Sequence, residues 1–214
     1  MKSNTATRFC KLCFQPIEGA SFGVLLNEKV SLCLRCYNSF APKMIRFPTN
    51  GVPTYSLFPY NEAFRNALYR FKGCGDIELA SIFTCRLSFI LPLLFPGYVI
   101  VPVPSSPGHD EKRGFNQVEE IAKTIPLPFV NALSKPFEHK QSDMSAEMRR
   151  KVKQFLRLTH PERIRGKKVL LLDDVYTTGS TCAACLDLLK KGGARKTKAL
   201  VLAKVSKKQG EGFP

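Results

Sequence analysis

VLLLDDVYTTGST, residues 169–181, is the stretch of sequence that decides the fold and the candidate site of this chain. Its four leading apolar residues predict a buried strand, which Asp173 and Asp174 follow directly. Small hydroxyl residues around Gly179 come next and lead into a segment with helical spacing, 181–191. Such a run lets successive backbone N–H groups converge on one phosphate at the positive end of a helix. The stretch therefore predicts a strand, a phosphate-binding loop and a helix start; the competing interpretation is an acidic turn that only caps a helix.

The two adjacent carboxylates suggest chemistry at a sugar. Asp173 and Asp174 can accept hydrogen bonds from a pair of vicinal hydroxyl groups, which is what a ribose presents. Oriented carboxylates would also stabilise the positive charge that develops when a bond at an anomeric carbon breaks. Both residues are therefore candidate catalytic residues.

Strands alternate with helices on either side of this stretch. Apolar runs predict strands at 98–103, 127–133, 169–172 and 197–203. Periodic apolar positions predict helices at 61–73, 77–91, 115–124, 145–156 and 181–191. This alternation implies an α/β domain, residues 61–205, with a mostly parallel sheet flanked by helices and with ligands at the carboxyl ends of its strands.

Four of the eight cysteines form a regular frame near the N-terminus, with Cys10 and Cys13 followed by Cys33 and Cys36. Each C-x-x-C pair lets two thiolates from one tight turn reach the same ion, and two pairs complete a tetrahedron with Zn–S bonds of about 2.3 Å. We predict a structural zinc in a small zinc-ribbon-like module, residues 1–45. Two disulfides are the rival interpretation, but the first residues have no apolar core typical of a secretory signal, and the cytoplasm keeps thiols reduced.

The remaining segments are predicted from composition. Residues 46–60 combine prolines with Asn50 and Gly51, which predicts a linker. Residues 206–214 predict a basic flexible tail. A further C-x-x-C pair, Cys182 and Cys185, lies within a predicted helix and is expected to pack as small apolar side chains.

Positive charge is concentrated at the two ends of the sequence, whose formal net charge is +16. Lysine and arginine exceed aspartate and glutamate by 5 over residues 1–50 and by 11 over 131–214, and the two classes balance over 51–130. This distribution favours a polyanionic partner, such as nucleic acid or an anionic surface. A solvated lysine-rich tail is the alternative.

One uncharged segment, residues 87–108, has the length of a membrane span. Several prolines and Gly97 interrupt it, so a helix end followed by a short buried strand fits better. We expect a cytoplasmic protein with no membrane span.

Two further motifs, VPVP at 101–104 and KRGFNQ at 112–117, narrow the interpretation. With the stretch at 169–181, the domain resembles the type I phosphoribosyltransferases. With the cysteine frame as well, nearly the whole chain resembles the ComF family, whose members are associated with bacterial natural transformation. The resemblance implies a type I phosphoribosyltransferase-like sheet behind the N-terminal zinc module.

The resemblance also implies a site for phosphoribosyl diphosphate with magnesium. Thr177 to Thr181 would bind the 5′-phosphate, and the loop from Ser105 to Gly114 would bind the diphosphate with Arg113 as a charged donor. A solvated residue at a helix start is the alternative for Arg113. The implied ligand-binding residues are Ser105, Asp173, Asp174, Thr177, Thr178, Gly179, Ser180 and Thr181, and the implied catalytic residues are Asp173, Asp174 and Arg113.

Two functions follow as hypotheses. A ComF-like protein would bind phosphoribosyl diphosphate and single-stranded DNA during DNA uptake, with a competence helicase as an implied partner and recruitment to the inner face of the membrane as an implied location. The alternative is a cytoplasmic phosphoribosyltransferase for a small nucleobase or amine, with a purely structural zinc module. Catalysis is left open, because Lys140 to Arg150, the expected hood over the sugar, names no acceptor and Phe137 is the only aromatic residue within 130–154.

Overall fold

A computed structural model describes residues 8–17, 30–105, 114–135 and 156–206 of the chain. The strands are β1 (Ile45–Thr49), β2 (Val52–Pro59), β3 (Tyr98–Pro102), β4 (Leu133–Ser134), β5 (Arg157–Leu158), β6 (Lys168–Tyr176) and β7 (Lys196–Lys204). The α-helices are α1 (Leu34–Ser39), α2 (Glu62–Gly73), α3 (Leu91–Leu94), α4 (Gln117–Lys123) and α5 (Ser180–Lys191), and 3-10 turns lie at Ile77–Phe83 and Pro161–Arg163.

Five of the strands form one sheet in the order β1-β2-β7-β6-β3. All of its pairs are parallel except β1 with β2. Parallel neighbours need crossovers, which α2, α4 and α5 help to provide. The predicted mostly parallel sheet with flanking helices is therefore confirmed.

The segment predicted as a linker, 46–60, is part of this sheet. β1 and β2 form a hairpin whose two-residue turn is Asn50-Gly51, and β2 pairs with β7. Both turn residues have positive φ, 48° and 74°, as a type I′ turn requires. The linker prediction is thus wrong, because the Asn-Gly pair closes a tight hairpin rather than separating two modules.

Two apolar layers sandwich the sheet, since successive side chains of a strand point to opposite faces. On one face, Leu170 and Leu172 of β6 pack with α2, α4 and the 3-10 turn at Ile77–Phe83. On the other face, Val169 and Leu171 pack against α5. Burial on both faces explains the nearly continuous apolar runs of the central strands.

The remaining predicted elements differ in extent from those observed. β6 runs to Tyr176, because its last residues still pair with β7. The strand predicted at 127–133 is reduced to a bridge between Phe129 and Ile100, and Leu133 pairs separately with Leu158. The helix predicted at 145–156 lies outside the described residues, except for Leu156.

The helix predicted at 77–91 is a 3-10 turn that ends at Phe83, followed by turns before α3. Side-chain hydroxyl groups there compete for backbone carbonyls: Ser81 donates to Glu78 O at 3.4 Å, and Ser88 donates to Cys85 O at 3.2 Å. Within the ranges that the structure describes, no helix has the length and apolar composition needed to cross a bilayer.

Candidate functional site

The four N-terminal cysteines converge on one point. The Sγ atoms of Cys10, Cys13, Cys33 and Cys36 all lie within 4.8 Å of one another. A zinc tetrahedron with bonds of about 2.3 Å has edges of about 3.8 Å, and the Sγ atoms of Cys13 and Cys33 are 3.7 Å apart. The donor set and its spacing therefore fit a closed, structural zinc site.

The backbone around Cys10 favours the ionised form that a metal needs, whereas burial raises the pKa values of Cys33 and Cys36. Burial disfavours charge on Cys10, but backbone N–H groups of Cys33, Cys13 and Leu12 outweigh it and lower the pKa of the Cys10 thiol to about 7. The N–H of Cys36 also donates to Cys33 Sγ at 3.4 Å. Such N–H···S contacts stabilise thiolate ligands.

The cysteine cluster is anchored to the rest of the chain. Lys11 forms an ion pair with Glu78 at 2.6 Å. Arg70 donates to the carbonyl of Leu12 at 3.2 Å, and Arg86 donates to that of Leu32 at 3.0 Å. Leu32 and Phe40 belong to the same buried cluster as the aromatic residues of α2. Unfolding of this module would therefore open the main core.

The phosphate-binding loop predicted from the sequence lies between β6 and α5. Gly179 precedes the first turn of α5 with φ 75°, in the left-handed region. The ring of Tyr176 lies where a Cβ on Gly179 would be. That ring is held by a 3.1 Å hydrogen bond from Thr49 Oγ1 to its hydroxyl and by an edge contact with Phe47 at 4.8 Å between centroids. Gly179 is therefore required both by its φ and by the space that Tyr176 takes.

The first turn of α5 is chemically suited to an anion. It contains no acidic residue, and the helix has 12 residues. Thr178 Oγ1 lies 3.0 Å from Ser180 Oγ and 3.4 Å from the backbone N of Ser180. Thr177, Thr178 and Thr181 are exposed. The N–H groups of a helix start and these hydroxyls are donors of the kind that bind a phosphate.

Asp174 is buried and fixed by two residues from other elements. Its Oδ2 forms an ion pair with Lys72 of α2 and accepts a 2.9 Å hydrogen bond from Gln117 Nε2 of α4. Its Oδ1 accepts from the N–H of Val175. The side chain of Asp174 is thus oriented and held close to the end of β6.

Asp173 lies on the opposite face of β6 from Asp174, because adjacent residues of a strand alternate. Its neighbours there include Cys182 and Cys185 of α5. Burial is the main cause that raises the pKa values of these two thiols, and the charge of Asp173 raises them further. Burial and the charge of Asp174 together raise the pKa of Asp173 to about 8. Cys182 and Cys185 are buried, as predicted. The two adjacent carboxylates therefore have different environments.

The loop after β3 is held against the start of α4. Asn116 Nδ2 donates to Ser105 Oγ at 3.1 Å, while Asn116 Oδ1 caps α4 by accepting from the N–H groups of Val118 and Glu119. Ser105 is thus tied to the helix that carries Gln117. Arg113 lies outside the described residues, as do Phe137, residues 140–150 and residues 207–214 of the predicted tail.

A cavity of about 450 Å³ opens beside the loop, at the carboxyl ends of β2, β7 and β6. Backbone hydrogen bonds join these ends: Tyr60 N to Lys204 O and Val205 N to Tyr176 O, each 3.0 Å. The cavity is lined by Tyr60, Arg65, Leu68, Tyr69, Lys72, Gly73, Val175, Thr177 and Val205. Lys72 therefore links the cavity to Asp174, and Thr177 links it to the predicted phosphate-binding loop.

Three residues of this region, Lys72, Tyr60 and Tyr69, are not among the site residues predicted from the sequence. Lys72 lies in the last turn of α2, where a basic residue is also expected to complement the helix dipole. Tyr69 is exposed on α2, and its ring packs over Gly73, where a Cβ would lie 3.0 Å from Tyr69 Cε2. The basic residue expected in the last turn of α2 was the signal that could have found Lys72.

Comparisons with known proteins place this geometry in context. A family model described as the phosphoribosyl transferase domain matches residues 111–213. Competence protein ComFC of Streptococcus pneumoniae is 33% identical over 224 residues, which cover 91% of this chain and 99% of that protein. Competence protein ComFC of Bacillus subtilis is 32% identical over 152 residues, 69% of this chain and 62% of that protein.

A third relative carries a different name. DNA utilization protein YhgH of Salmonella typhi is 26% identical over 222 residues, which cover 89% of this chain and 94% of that protein. Two of these relatives therefore align with about nine-tenths of the chain. Together with the domain match, the observed topology confirms the predicted type I phosphoribosyltransferase fold.

Proposed function

This chain belongs to the ComF family of competence proteins, and from that premise we propose that it acts in DNA uptake as a protein that binds phosphoribosyl diphosphate with magnesium and binds single-stranded DNA. The name of a further relative, DNA utilization protein, supports the DNA part of this proposal. The cysteine cluster would hold a structural zinc. A competence helicase as partner, a cytoplasmic location and recruitment to the membrane remain parts of the same proposal.

The observation that carries the sugar-phosphate part is the geometry at the end of β6. Gly179 in the left-handed conformation opens α5 immediately after a strand whose Asp174 is fixed by Lys72 and Gln117. The loop offers hydroxyl and N–H donors to a 5′-phosphate, and the oriented carboxylate offers acceptors to ribose hydroxyls. A helix start without carboxylates does not compete with the phosphate for these donors.

Magnesium would complete this site when the diphosphate is bound. It is an oxygen-preferring ion, held mainly by phosphate oxygens and few protein groups, and it would neutralise charge on the diphosphate. Asp174 supplies carboxylate oxygens near the strand end, which is the right donor chemistry, whereas Asp173 faces the other side of β6 and has its pKa raised to about 8 by burial and by Asp174. Ser105, fixed by Asn116, and Arg113 are the proposed diphosphate contacts.

Titration calorimetry with phosphoribosyl diphosphate and magnesium tests the sugar-phosphate part. We expect binding by the wild type and at least a tenfold loss in Asp174→Asn, because the amide cannot replace both the charge that Lys72 faces and the acceptor. Gln117→Glu is a useful companion, since it places a second carboxylate beside Asp174 and should weaken binding as well. Equal affinity in all three proteins would refute the assignment of Asp174.

The DNA part is tested by the salt dependence of binding. Fluorescence anisotropy with a labelled oligonucleotide should give a slope of log affinity against log salt of roughly 0.7 for each single-strand phosphate neutralised. Several contacts would therefore give a steep decline between low and physiological salt. Absence of binding even at low salt would refute this part and leave the sugar-phosphate part standing.

A second function, transfer of the phosphoribosyl group to a nucleobase, is favoured by one observation. The cavity beside Thr177 has two tyrosines and Arg65 in its lining. Aromatic rings stack on planar bases, and a cavity of about 450 Å³ lies within the usual size of small-molecule sites. Tyr69 of α2 and Tyr60 at the end of β2 would therefore supply the aromatic surface that residues 130–154, with Phe137 alone, lack.

Release of diphosphate in the presence of phosphoribosyl diphosphate, magnesium and single nucleobases tests this function. For a nucleobase that accepts the phosphoribosyl group, the KM should be higher in Tyr69→Ala than in the wild type. Tyr69→Phe should retain the wild-type KM because it keeps the ring. No diphosphate release with any purine or pyrimidine would exclude the transferase function and support a binding role.

A further inference from the structure

A second basic surface lies far from the phosphate-binding loop. We call it the strand-start surface, because its residues surround the beginnings of β6 and β7. It comprises Arg163, Arg165, Lys167, Lys190, Lys191, Arg195 and Lys196, all of which are exposed. Within the described part of the chain, none of the seven side chains forms an ion pair.

Backbone contacts join the two segments that supply these residues. The N–H of Gly166 donates to Gly193 O, and the N–H of Arg195 donates to Lys167 O, both at 2.8 Å. Arg165 Cγ lies 3.3 Å from the position of a Cβ on Gly193. Residues that are separate in sequence, 163–167 and 190–196, therefore form one continuous surface.

This surface and the phosphate-binding loop lie at opposite ends of the strands: the surface at the start of β6 and the loop after its end. β6 has 9 residues and α5 has 12, so the strand spans about 30 Å and the returning helix about 18 Å. Lys190 and Lys191 end α5, whereas Ser180 begins it beside the loop. A ligand on the strand-start surface would therefore leave the loop accessible.

The strand-start surface includes a hollow with apolar walls. A cavity of about 310 Å³ is lined by Leu158, Pro161, Arg165, Leu188, Lys191, Gly192 and Gly193. Three apolar side chains form its walls, and two of the exposed cations stand in its lining. An apolar hollow beside cations suits a nucleotide, whose base is planar and weakly polar and whose phosphate is charged.

The composition of the surface favours nucleic acid over an anionic bilayer. A membrane-binding surface combines cations with exposed large apolar residues that insert among lipids. The exposed large apolar residues of the described chain lie within 9–94, and none belongs to the strand-start surface. A hollow that admits one base also favours single strands, because the bases of a duplex are paired and stacked.

We propose that single-stranded DNA binds along the strand-start surface, with its phosphates on the seven basic side chains and one base in the hollow. Phosphoribosyl diphosphate would then occupy the loop at the carboxyl end of β6. This inference rests on the DNA-binding part of the proposed function. It adds the location of the DNA and the independence of the two ligands. DNA and phosphoribosyl diphosphate then bind together without competing.

A matched pair of variants tests this location. Lys190→Gln/Lys191→Gln/Lys196→Gln removes three charges from the surface, and Arg35→Gln/Lys43→Gln/Arg46→Gln removes three exposed charges elsewhere. Anisotropy with a labelled oligonucleotide should show at least a tenfold loss in the first variant and less than a threefold loss in the second. The salt slope of the first should fall by about 2, from 0.7 for each of three contacts.

Two further arms separate the outcomes. Lys190→Arg/Lys191→Arg/Lys196→Arg should bind like the wild type, and saturating phosphoribosyl diphosphate with magnesium should leave wild-type DNA affinity unchanged. Competition between the two ligands, or equal losses in the matched variants, would overturn the location while the proposed function stands. Loss of binding to phosphatidylglycerol vesicles with unchanged DNA binding would assign the surface to a membrane instead. Absence of DNA binding by the wild type would overturn the location and the DNA part of the proposed function together.

Discussion

Gly179→Ala is the substitution whose effect the structure defines most sharply. Gly179 has φ 75°, which costs an L-residue about 1–2 kcal/mol. Its new Cβ would also meet the ring of Tyr176, which must move. Movement of that ring breaks the hydrogen bond with Thr49, worth about 1 kcal/mol, and the edge contact with Phe47, worth about 1 kcal/mol. The expected loss of unfolding free energy is therefore about 3–4 kcal/mol.

Gly75→Ala provides the control for this substitution. Gly75 has φ 71°, and nothing lies within 4 Å of the position of its Cβ. The control variant should lose only the backbone part, about 1–2 kcal/mol. Urea denaturation of the wild type and both variants at pH 7 measures the difference, which should be about 2 kcal/mol.

Binding and a double substitution complete the test. Calorimetry with phosphoribosyl diphosphate and magnesium should show at least a tenfold loss in Gly179→Ala and no loss in Gly75→Ala. In a Tyr176→Ala background, Gly179→Ala should cost only the backbone part, because the obstructing ring is absent. Equal destabilisation by the two glycine substitutions would refute the argument from Tyr176, and wild-type affinity in Gly179→Ala would refute the loop as the phosphate site.

Three further predictions concern the metal, the buried ion pair and pH. Elemental analysis should find one zinc per chain. Chelation should lower the melting temperature and leave a single unfolding transition, because Leu32 and Phe40 share a core with α2. Zinc-free protein with the same melting temperature would contradict this prediction. Lys72→Met should lower the free energy of unfolding, measured by urea denaturation, by about 2–3 kcal/mol, because it leaves the buried Asp174 carboxylate without its cation. Adding Asp174→Asn to the same chain should restore part of that loss. An unchanged free energy of unfolding in Lys72→Met would contradict this prediction. The pKa of Asp173, raised to about 8 by burial and by Asp174, means that the folded state binds more protons than the unfolded chain, whose aspartate pKa is about 4. The proton bound by Asp173 in the folded state contributes its full stabilisation below pH about 4, and this stabilisation is lost as the pH rises to about 8. The melting temperature of the ligand-free protein should therefore fall less over pH 5–8 in Asp173→Asn than in the wild type. Parallel profiles of melting temperature against pH in the two proteins would contradict the raised pKa of Asp173.

Local patterns in the sequence were sufficient for features whose physics is local. The spacing of the cysteines determines which thiols can reach one ion, and the four Sγ atoms do converge. The order of apolar strand, glycine-containing loop and helix start in 169–181 likewise depends on backbone conformation and helix capping, and β6, Gly179 and α5 follow that order. The hairpin was also predictable, since Asn50-Gly51 is a strong two-residue turn signal.

The tertiary structure alone decided which distant side chains meet. Lys72, Gln117 and Asp174 come together because α2 and α4 pack on the same face of the sheet, although the latter two are 57 residues apart. The pleat of β6 sends Asp173 to the other face, which gives adjacent and identical residues different environments. The cavity with Tyr60 and Tyr69 exists because three parallel strands end together under α2, and the strand-start surface exists because α5 runs back across the sheet. Such meetings depend on how layers pack after the chain has folded, and packing leaves no periodic signal along the sequence.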